Sequence, residues 1–138
     1  MGLNVGMFDI VSVGHFSLDS IFLPDRHKPF VVLGGSVAYV SFAARRLGAR
    51  VSVVSKVGND FPAAYLWWLR QESVDLSGVS RAENVQTTRF ELKYSNDLSD
   101  RALQLKNKAP PITVADLPSS LRAKAIHIGS IAGEITYE

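Results

Sequence analysis

The sequence predicts an α/β fold in which helices flank a parallel sheet and a small second β-sheet lies beside it. Within the first seventy-odd residues, short apolar strands alternate with helical patterns, as in a parallel sheet with right-handed crossovers. Four other segments alternate apolar and polar residues, which is typical of a sheet with one open face. With 138 residues, of which 46% are hydrophobic and 20% charged, the chain can form one ordinary core.

The predicted parallel sheet begins with Asp9 to Val13, a β-branched run that stops at Gly14. Its next strand is Val51 to Ser55, and Ala125 to Ile128 is the third, after a short helix at Asp116 to Leu121. A three-stranded parallel sheet leaves a long unpaired edge. We therefore expect the chain to be a fragment, or a half that needs a partner.

Two longer helices are predicted on the flanks of this sheet. The first has Ser36 as its N-cap and Gly48 as the left-handed residue that ends it. The second has Asp60 as its cap, Pro62 in its first turn, and an end near Glu72. The apolar positions that define the first helix by their spacing are Val37, Val40, Ala44 and Leu47.

The alternating strands fall into two pairs, at about residues 16–33 and 86–107. Thr88, Phe90, Leu92 and Tyr94 share one face, and Ala102 to Lys106 returns after a polar turn. Because these strands alternate while those of the parallel sheet are apolar throughout, we expect them to form a separate sheet. A small lid over the α/β core is the simplest arrangement.

Composition excludes several functional classes. A net charge of +2 is too small to indicate nucleic-acid or membrane-surface binding, so neither partner is expected. The absence of Cys removes disulfides and thiol chemistry, and the three His residues lack metal-ligand spacing, so no metal site is expected. No apolar run is long enough to span a bilayer, and residues 1–13 do not resemble a signal peptide. These features predict a cytoplasmic protein.

Two features suggest small-molecule binding. Gly34-Gly35, at a strand-to-helix junction before Ser36, would expose backbone amides that favour hydroxyl oxygens or anions. Asp19 shares a strand face with Ser17, and its carboxylate could accept hydrogen bonds from neighbouring hydroxyls of a polyol. Each feature also has a plain structural alternative: a tight turn for the glycines, and a solvated strand carboxylate for Asp19.

Several short motifs occur in a characteristic order along almost the whole chain. They are Gly14 with Asp19, Gly34-Gly35 with Tyr39 and Ser41, Ala44 to Ala49, Lys56 to Asp60, Val74-Asp75 and Thr87-Thr88. This series resembles the N-terminal half of the PfkB, or ribokinase-like, carbohydrate kinases. The resemblance implies a ribokinase-like fold and transfer of the ATP γ-phosphate to a hydroxyl of a sugar, sugar acid or nucleoside, usually with Mg²⁺.

The resemblance also assigns substrate-binding residues. It implies that Asp19 binds the acceptor, with Ser17 beside it. It also implies that Gly34 and Gly35 contact the acceptor through their backbone. Ser36 matches the next position, which varies within the family. Tyr39 departs from the family signature, which has Asn there, so the acceptor pocket should be reshaped. Asn59 and Ala63 also depart, replacing a usual Asp and Gly, away from the proposed acceptor contacts.

No catalytic residue is expected in this chain. The resemblance places the general-base Asp, the anion hole and the nucleotide site in the C-terminal half, so ATP and Mg²⁺ would bind outside residues 1–138 and the chain alone should be inactive. It implies a sugar or nucleoside as partner, and because some family members pair subunits through the lid, a homodimer through the lid is a possible assembly.

Two other functional classes are alternatives to the kinase. A non-catalytic binding or oligomerisation module is favoured by Tyr39. A nicotinamide-dependent dehydrogenase lacks support, because GxGxxG is missing and a lid precedes the first helix.

Overall fold

The computed structural model describes residues 7–136. The two ends of the predicted 1–138 domain, residues 1–6 and 137–138, lie outside the described residues. The elements in chain order are β1 (Phe8–Val13), β2 (Ser17–Phe22), β3 (Phe30–Gly34), α1 (Ser36–Arg46), β4 (Val51–Gly58), α2 (Ala63–Gln71), β5 (Asp75–Ala82), β6 (Thr88–Tyr94), β7 (Arg101–Asn107), a 3-10 helix (Val114–Asp116) and β8 (Ala123–Ile128).

The first sheet is parallel and has the strand order β5-β4-β1-β8. It has four strands in the described part of the chain, so the prediction of three was wrong. The unexpected strand is β5 at one edge, whose sequence DLSGVSRA has no continuous apolar run. Only one residue of β5 is buried, so few of its side chains need to be apolar, and β5 joins β4 through a register shift.

Apolar clusters cover both faces of the central strands of the first sheet. On one face, α1 packs over β4 and β1 and α2 packs over β5, with Val37, Val53 and Leu69 fully buried among them. On the other face, Val11 and Val54 pack against Ile112, which follows β7. Burial on both faces explains the continuous apolar runs of β1 and β4. None of the helices in residues 7–136 is long and apolar enough to cross a membrane.

The second sheet has the order β3-β2-β6-β7 and consists of the strands predicted at 16–33 and 86–107. Its two antiparallel pairs, β2–β3 and β6–β7, are joined by a parallel pairing of β2 with β6. In that pairing Asp19 lies beside Phe90. The alternation indicated the strands, but the parallel register between them depends on tertiary packing.

Both predicted N-caps were wrong. The N-cap of α1 is Gly35, with φ +95°, and Ser36 is the first helical residue, whose hydroxyl donates to the carbonyl of Gly129 at 2.7 Å. The N-cap of α2 is Pro62, because the Asp60 carboxylate accepts hydrogen bonds from other residues. In both cases a long-range hydrogen bond competes successfully for the side chain that would otherwise cap the helix.

The helix predicted at Asp116 to Leu121 was also wrong. The structure has a 3-10 helix at Val114–Asp116, closed by a capping box between Thr113 and Asp116. Pro118 restricts the residue before it to an extended conformation, which ends the helix there. The prediction that Gly48 ends α1 was confirmed, since Gly48 follows the C-cap residue and has a positive φ of +86°.

Candidate functional site

A cavity of about 410 Å³ lies where the second sheet meets the N-terminus of α1 and the turn after β8. It is therefore at the carboxyl ends of β1 and β8, the edge at which open α/β sheets bind ligands. Five of the six residues predicted to bind substrate line it, and Gly34 lies behind Asp19. The lining residues are Ser17, Asp19, Gly35, Ser36, Tyr39, Phe90, Leu92, Arg101, Leu103 and Ile131.

Asp19 projects from β2 into this cavity. Ser17, two residues earlier on the same strand face, donates its hydroxyl to Asp19 Oδ1 at 2.7 Å. Burial raises the pKa of Asp19 above its usual 3.8, although the hydrogen bond from Ser17 and the charge of Arg101 oppose this shift. Within residues 7–136, Ser17 is the only hydrogen-bond donor to this carboxylate. Asp19 therefore retains acceptor capacity for a ligand hydroxyl.

Gly34 lies directly against the side chain of Asp19. A Cβ atom at this position would collide with the carboxylate of Asp19 and would come within 2.6 Å of the Ser17 hydroxyl. The first glycine of the pair is therefore required by the side chains of β2 that cross over it, which is a contact between neighbouring strands.

Gly35 turns the chain from β3 into α1. Its φ of +95° suits glycine, and a Cβ atom would collide with the carbonyl oxygen of His15. The turn brings the N-terminus of the 11-residue helix α1 to the cavity wall. A helix N-terminus carries partial positive charge and favours hydroxyl oxygens or anions. The Gly34-Gly35 turn therefore has both the structural role and the geometry for ligand contact.

Tyr39 and four residues that sequence reasoning missed form much of the remaining wall. Tyr39 projects from α1 and is 66% exposed, so the core does not hold its ring. Phe90 and Leu92 face the cavity because β6 pairs with β2 beside Asp19. Their shared face was visible in the alternation, but the strand they would pair with was not. The other missed apolar residues are Leu103 on β7 and Ile131 in the turn after β8.

Arg101 supplies a cation to the wall and was also missed. It opens β7 opposite Tyr94, and its Nη1 lies 3.5 Å from the hydroxyl of that tyrosine. No ion pair joins Arg101 to Asp19 in the described residues. The cavity therefore has a carboxylate and a guanidinium on an otherwise largely apolar wall.

The described residues do not form a metal or phosphate site. In residues 7–136 no group of three or more His, Asp or Glu is placed to hold a metal ion. The sequence has neither GxxxxGK[ST] nor GxGxxG, so the cavity has no glycine-rich phosphate loop of those types. The site offers a ligand the carboxylate of Asp19, the guanidinium of Arg101, the N-terminus of α1 and an apolar face.

The known proteins that this chain resembles in sequence are kinases of sugars, inositol and nucleosides. Residues 7–108 match the pfkB family carbohydrate kinase profile. The chain is 33% identical over 129 residues to cytidine kinase from Thermococcus kodakarensis, covering 93% of this chain and 45% of the relative. It is 35% identical over 114 residues to inositol 3-kinase from Oryza sativa subsp. japonica, covering 77% and 27%. The chain thus spans less than half the length of these curated relatives.

Solved structures show the same fold. A pyrophosphate-dependent kinase in the ribokinase family, in its sulfate complex, superposes with a TM-score of 0.74 at 26% identity, covering 92% of this chain and 43% of that one. An uncharacterized sugar kinase from Pyrococcus horikoshii in complex with ATP gives 0.66 at 28% identity, covering 79% and 38%. The fold is ribokinase-like, and the chain belongs to the pfkB family of carbohydrate kinases.

Proposed function

We propose that the protein phosphorylates a hydroxyl group of a sugar, sugar acid or nucleoside with ATP as donor, and that this chain is the acceptor-binding and lid half of the enzyme. The observation that carries this proposal is the position of Asp19. Its carboxylate lies over the Gly34-Gly35 turn, at the N-terminus of α1, and faces a cavity of about 410 Å³. This volume is suited to a small metabolite.

In this proposal each site residue has a defined task. Asp19, oriented by Ser17, accepts hydrogen bonds from acceptor hydroxyls. Gly35 and Ser36 bring the first backbone amides of α1 close to an acceptor oxygen. Gly34 supports Asp19 from behind, and direct backbone contact between Gly34 and the acceptor remains a prediction. Tyr39 takes the place of the amide of the family signature and reshapes the acceptor pocket.

Phosphoryl transfer also needs a base for the acceptor hydroxyl and charge stabilisation around the γ-phosphate. The described residues supply neither a metal cluster nor a phosphate loop. We assign the ATP and Mg²⁺ sites to sequence outside this chain and expect the chain alone to be inactive. The absence of Cys suits a reducing compartment, and a cytoplasmic location remains a prediction.

The relatives support the class of acceptor without selecting one member. Their names specify cytidine, inositol and 5-dehydro-2-deoxygluconate, which all carry several hydroxyl groups. One structural neighbour is a pyrophosphate-dependent kinase, so the donor should be tested along with the acceptor. ATP remains our proposal.

The experiment measures binding of sugars, sugar acids, inositols and nucleosides to the 138-residue chain by ligand-observed NMR and calorimetry. We expect Asp19→Asn to weaken the preferred acceptor by about 10- to 1000-fold, because a charge-assisted contact is lost. Asp25→Asn, in the exposed turn of the same hairpin, is the matched control and should leave affinity unchanged. Failure of every acceptor to bind, or equal affinity in Asp19→Asn, would contradict the proposal.

The same samples test inactivity. Each acceptor is incubated with Mg²⁺ and either ATP or pyrophosphate, and phosphorylated product is measured by mass spectrometry. We expect no product from the chain alone, and product formation would contradict the assignment of the catalytic groups to sequence outside it.

A non-catalytic binding module is the second candidate, and Tyr39 at the position of the signature Asn favours it. The coding sequence after Glu138 separates the two functions. A Gly-Ala-Gly-Asp-like stretch there supports the kinase, and an in-frame stop without such a stretch supports the module.

A homodimer through the second sheet remains a separate prediction. Leu103 and Leu105 on β7 are 57% and 44% exposed, which leaves apolar surface available for a second copy. Sedimentation velocity over a range of concentrations measures this association directly.

A further inference from the structure

The carboxylate of Glu134 is buried in the turn after β8 and is fully inaccessible to solvent. Its Oε1 accepts hydrogen bonds from the backbone N–H groups of His15 at 3.0 Å and Ile131 at 3.1 Å. Its Oε2 accepts from the Ser130 hydroxyl at 2.9 Å and from the N–H groups of Ile131 and Ala132 at 3.1 and 2.8 Å. Both oxygens are therefore saturated by neutral donors.

Glu134 is an anion at neutral pH. Burial raises the pKa of its carboxyl group, but the backbone hydrogen bonds outweigh burial and hold the pKa below the usual 4.5. No ion pair in residues 7–136 involves this side chain. Oriented amides thus stabilise the charge, and the carboxylate in turn fixes the positions of those amides.

The hydrogen bonds of Glu134 join two segments that are far apart in sequence. His15 lies between β1 and β2, where the second sheet begins, whereas Ile131 lies 116 residues later and lines the cavity. Beside them, the Ser36 hydroxyl donates to the carbonyl of Gly129, which ties the turn to the N-terminus of α1. The hydrogen bonds of Glu134 and Ser36 therefore tie the turn after β8 both to His15 and to the N-terminus of α1.

A second set of contacts continues from His15 into the second sheet. Its Nε2 lies 2.9 Å from the carbonyl oxygen of Pro110, which can only accept, so Nε2 carries the proton. Nδ1 then accepts from the Thr88 hydroxyl at 2.8 Å, and Thr88 itself accepts from the N–H of Ala109. Burial lowers the pKa of His15 below 6.5, which keeps this neutral arrangement at physiological pH.

We propose that Glu134 is a positioning residue for the acceptor site, holding the Ile131 wall and the beginning of the second sheet at a fixed separation through His15 and Thr88. The part of this inference that concerns acceptor affinity rests on the proposed function. The part that concerns the geometry of the second sheet can be measured without any ligand.

The test compares wild type with Glu134→Gln. Glutamine keeps the shape of the side chain but replaces one acceptor oxygen with an NH₂ group, which then faces N–H or O–H donors. We expect acceptor affinity to fall on the order of 10-fold, as for loss of hydrogen bonds to a charged group. We also expect amide hydrogen exchange at Ser17, Phe90 and Leu92 to accelerate about 10-fold, because the second sheet loses one of its attachments to the first.

Two further variants separate positioning from general stability. Asp75→Asn is the matched control, because its carboxylate likewise accepts hydrogen bonds, in this case from the hydroxyls of Ser52 and Ser77 at 2.7 Å. It lies at the amino end of β5, on the opposite edge of the first sheet, and should lower stability without changing acceptor affinity or exchange in the second sheet. Ser130→Ala removes one exposed donor to Glu134 and keeps the proposal testable if Glu134→Gln does not fold.

The outcomes are distinguishable. Faster exchange in the second sheet in Glu134→Gln or Ser130→Ala, but not in Asp75→Asn, supports the positioning role. Equal effects in all three variants would overturn it. If wild type binds no acceptor, the proposed function fails, and the exchange measurement alone still decides whether Glu134 positions the second sheet.

Discussion

The first and second sheets differ in how their strands are held. In the central strands β1 and β4 of the first sheet, Val11, Val51, Val53 and Val54 are at most 1% exposed, since apolar clusters cover both faces there, whereas most residues of its edge strand β8 are exposed. In the second sheet, β7 is exposed along nearly its whole length. The centre of the first sheet therefore depends on apolar burial, while the outer strand of the second sheet depends more on backbone pairing.

This difference separates stability from binding. The first sheet and α1 supply the rigid part of the cavity, the Gly35 turn and the helix N-terminus. The second sheet supplies Asp19, Arg101 and most of the apolar wall, and its outer strand β7, which carries Arg101, is largely exposed. A binding surface built on a less buried element can adjust to its ligand, because few core contacts must change when it moves.

The largest expected effect contrasts one leucine from each region. Leu69→Ala should lower the free energy of unfolding by about 2–5 kcal/mol, because the side chain is fully buried between α2 and the first sheet. Leu103 on β7 is 57% exposed, so Leu103→Ala should change the free energy of unfolding by about 0.5 kcal/mol or less. Urea unfolding followed by circular dichroism measures both.

Leu103→Ala should instead weaken acceptor binding or concentration-dependent self-association. The contrast between the sheets would fail if Leu103→Ala destabilised the chain as much as Leu69→Ala.

The junction between the two regions gives a smaller effect. Gly35→Ala should cost about 2–4 kcal/mol, because the new side chain adopts a positive φ and collides with the carbonyl of His15. Gly48→Ala is the control: its φ is also positive, at +86°, but nothing lies within 4 Å, so only about 1–2 kcal/mol is expected. Thermal melts of the two variants measure the difference, and equal costs would show that the Gly35 turn is not tightly packed.

The smallest expected effect is on how stability depends on pH, because the pKa values of Asp60 and Asp19 are shifted in opposite directions. At Asp60 burial raises the pKa, but hydrogen bonds from Thr87 and Arg89 outweigh it and hold the pKa below 3.8. Its stabilisation is therefore complete above the unfolded value and is lost as the pH falls through the lower folded value. At Asp19 burial raises the pKa, so its ionisation costs stability as the pH rises from the unfolded value through the folded one.

Asp60→Asn should consequently lower stability at neutral pH by about 1 kcal/mol and reduce the loss on acidification. Asp19→Asn should instead keep or raise stability at neutral pH, since the substitution removes a charge that folding buries. Urea midpoints between pH 3 and 7 measure both slopes, and parallel slopes for the two variants would contradict the opposite signs.

Local patterns in the sequence were sufficient to predict most helices and strands. The β-branched runs of β1 and β4 and the helical spacing in α1 mark these elements because their residues meet similar environments at regular intervals. The ordered motifs were sufficient for the family, and they also brought Asp19 and the Gly34-Gly35 turn together as candidates. β5 was missed because an edge strand with Gly78 in its middle lacks that periodicity.

Where the prediction failed, a distant partner decided the outcome. Ser36 does not cap α1 because Gly129 accepts its hydroxyl, and Asp60 does not cap α2 because Thr87 and Arg89 bind its carboxylate. The role of Glu134 had no local signal either, since one of its donors, His15, lies 119 residues away.

The sequence by itself determined the α/β layout, the second sheet and the family, because these follow from short-range periodicity and from motifs that keep their order along the chain. Only the tertiary structure decided that β2 pairs in parallel with β6, that Phe90 and Arg101 share a cavity with Asp19, and that Glu134 joins the two sides of that cavity. Hydrogen bonds and strand registers between distant segments depend on how the whole chain packs, and no local pattern specifies them.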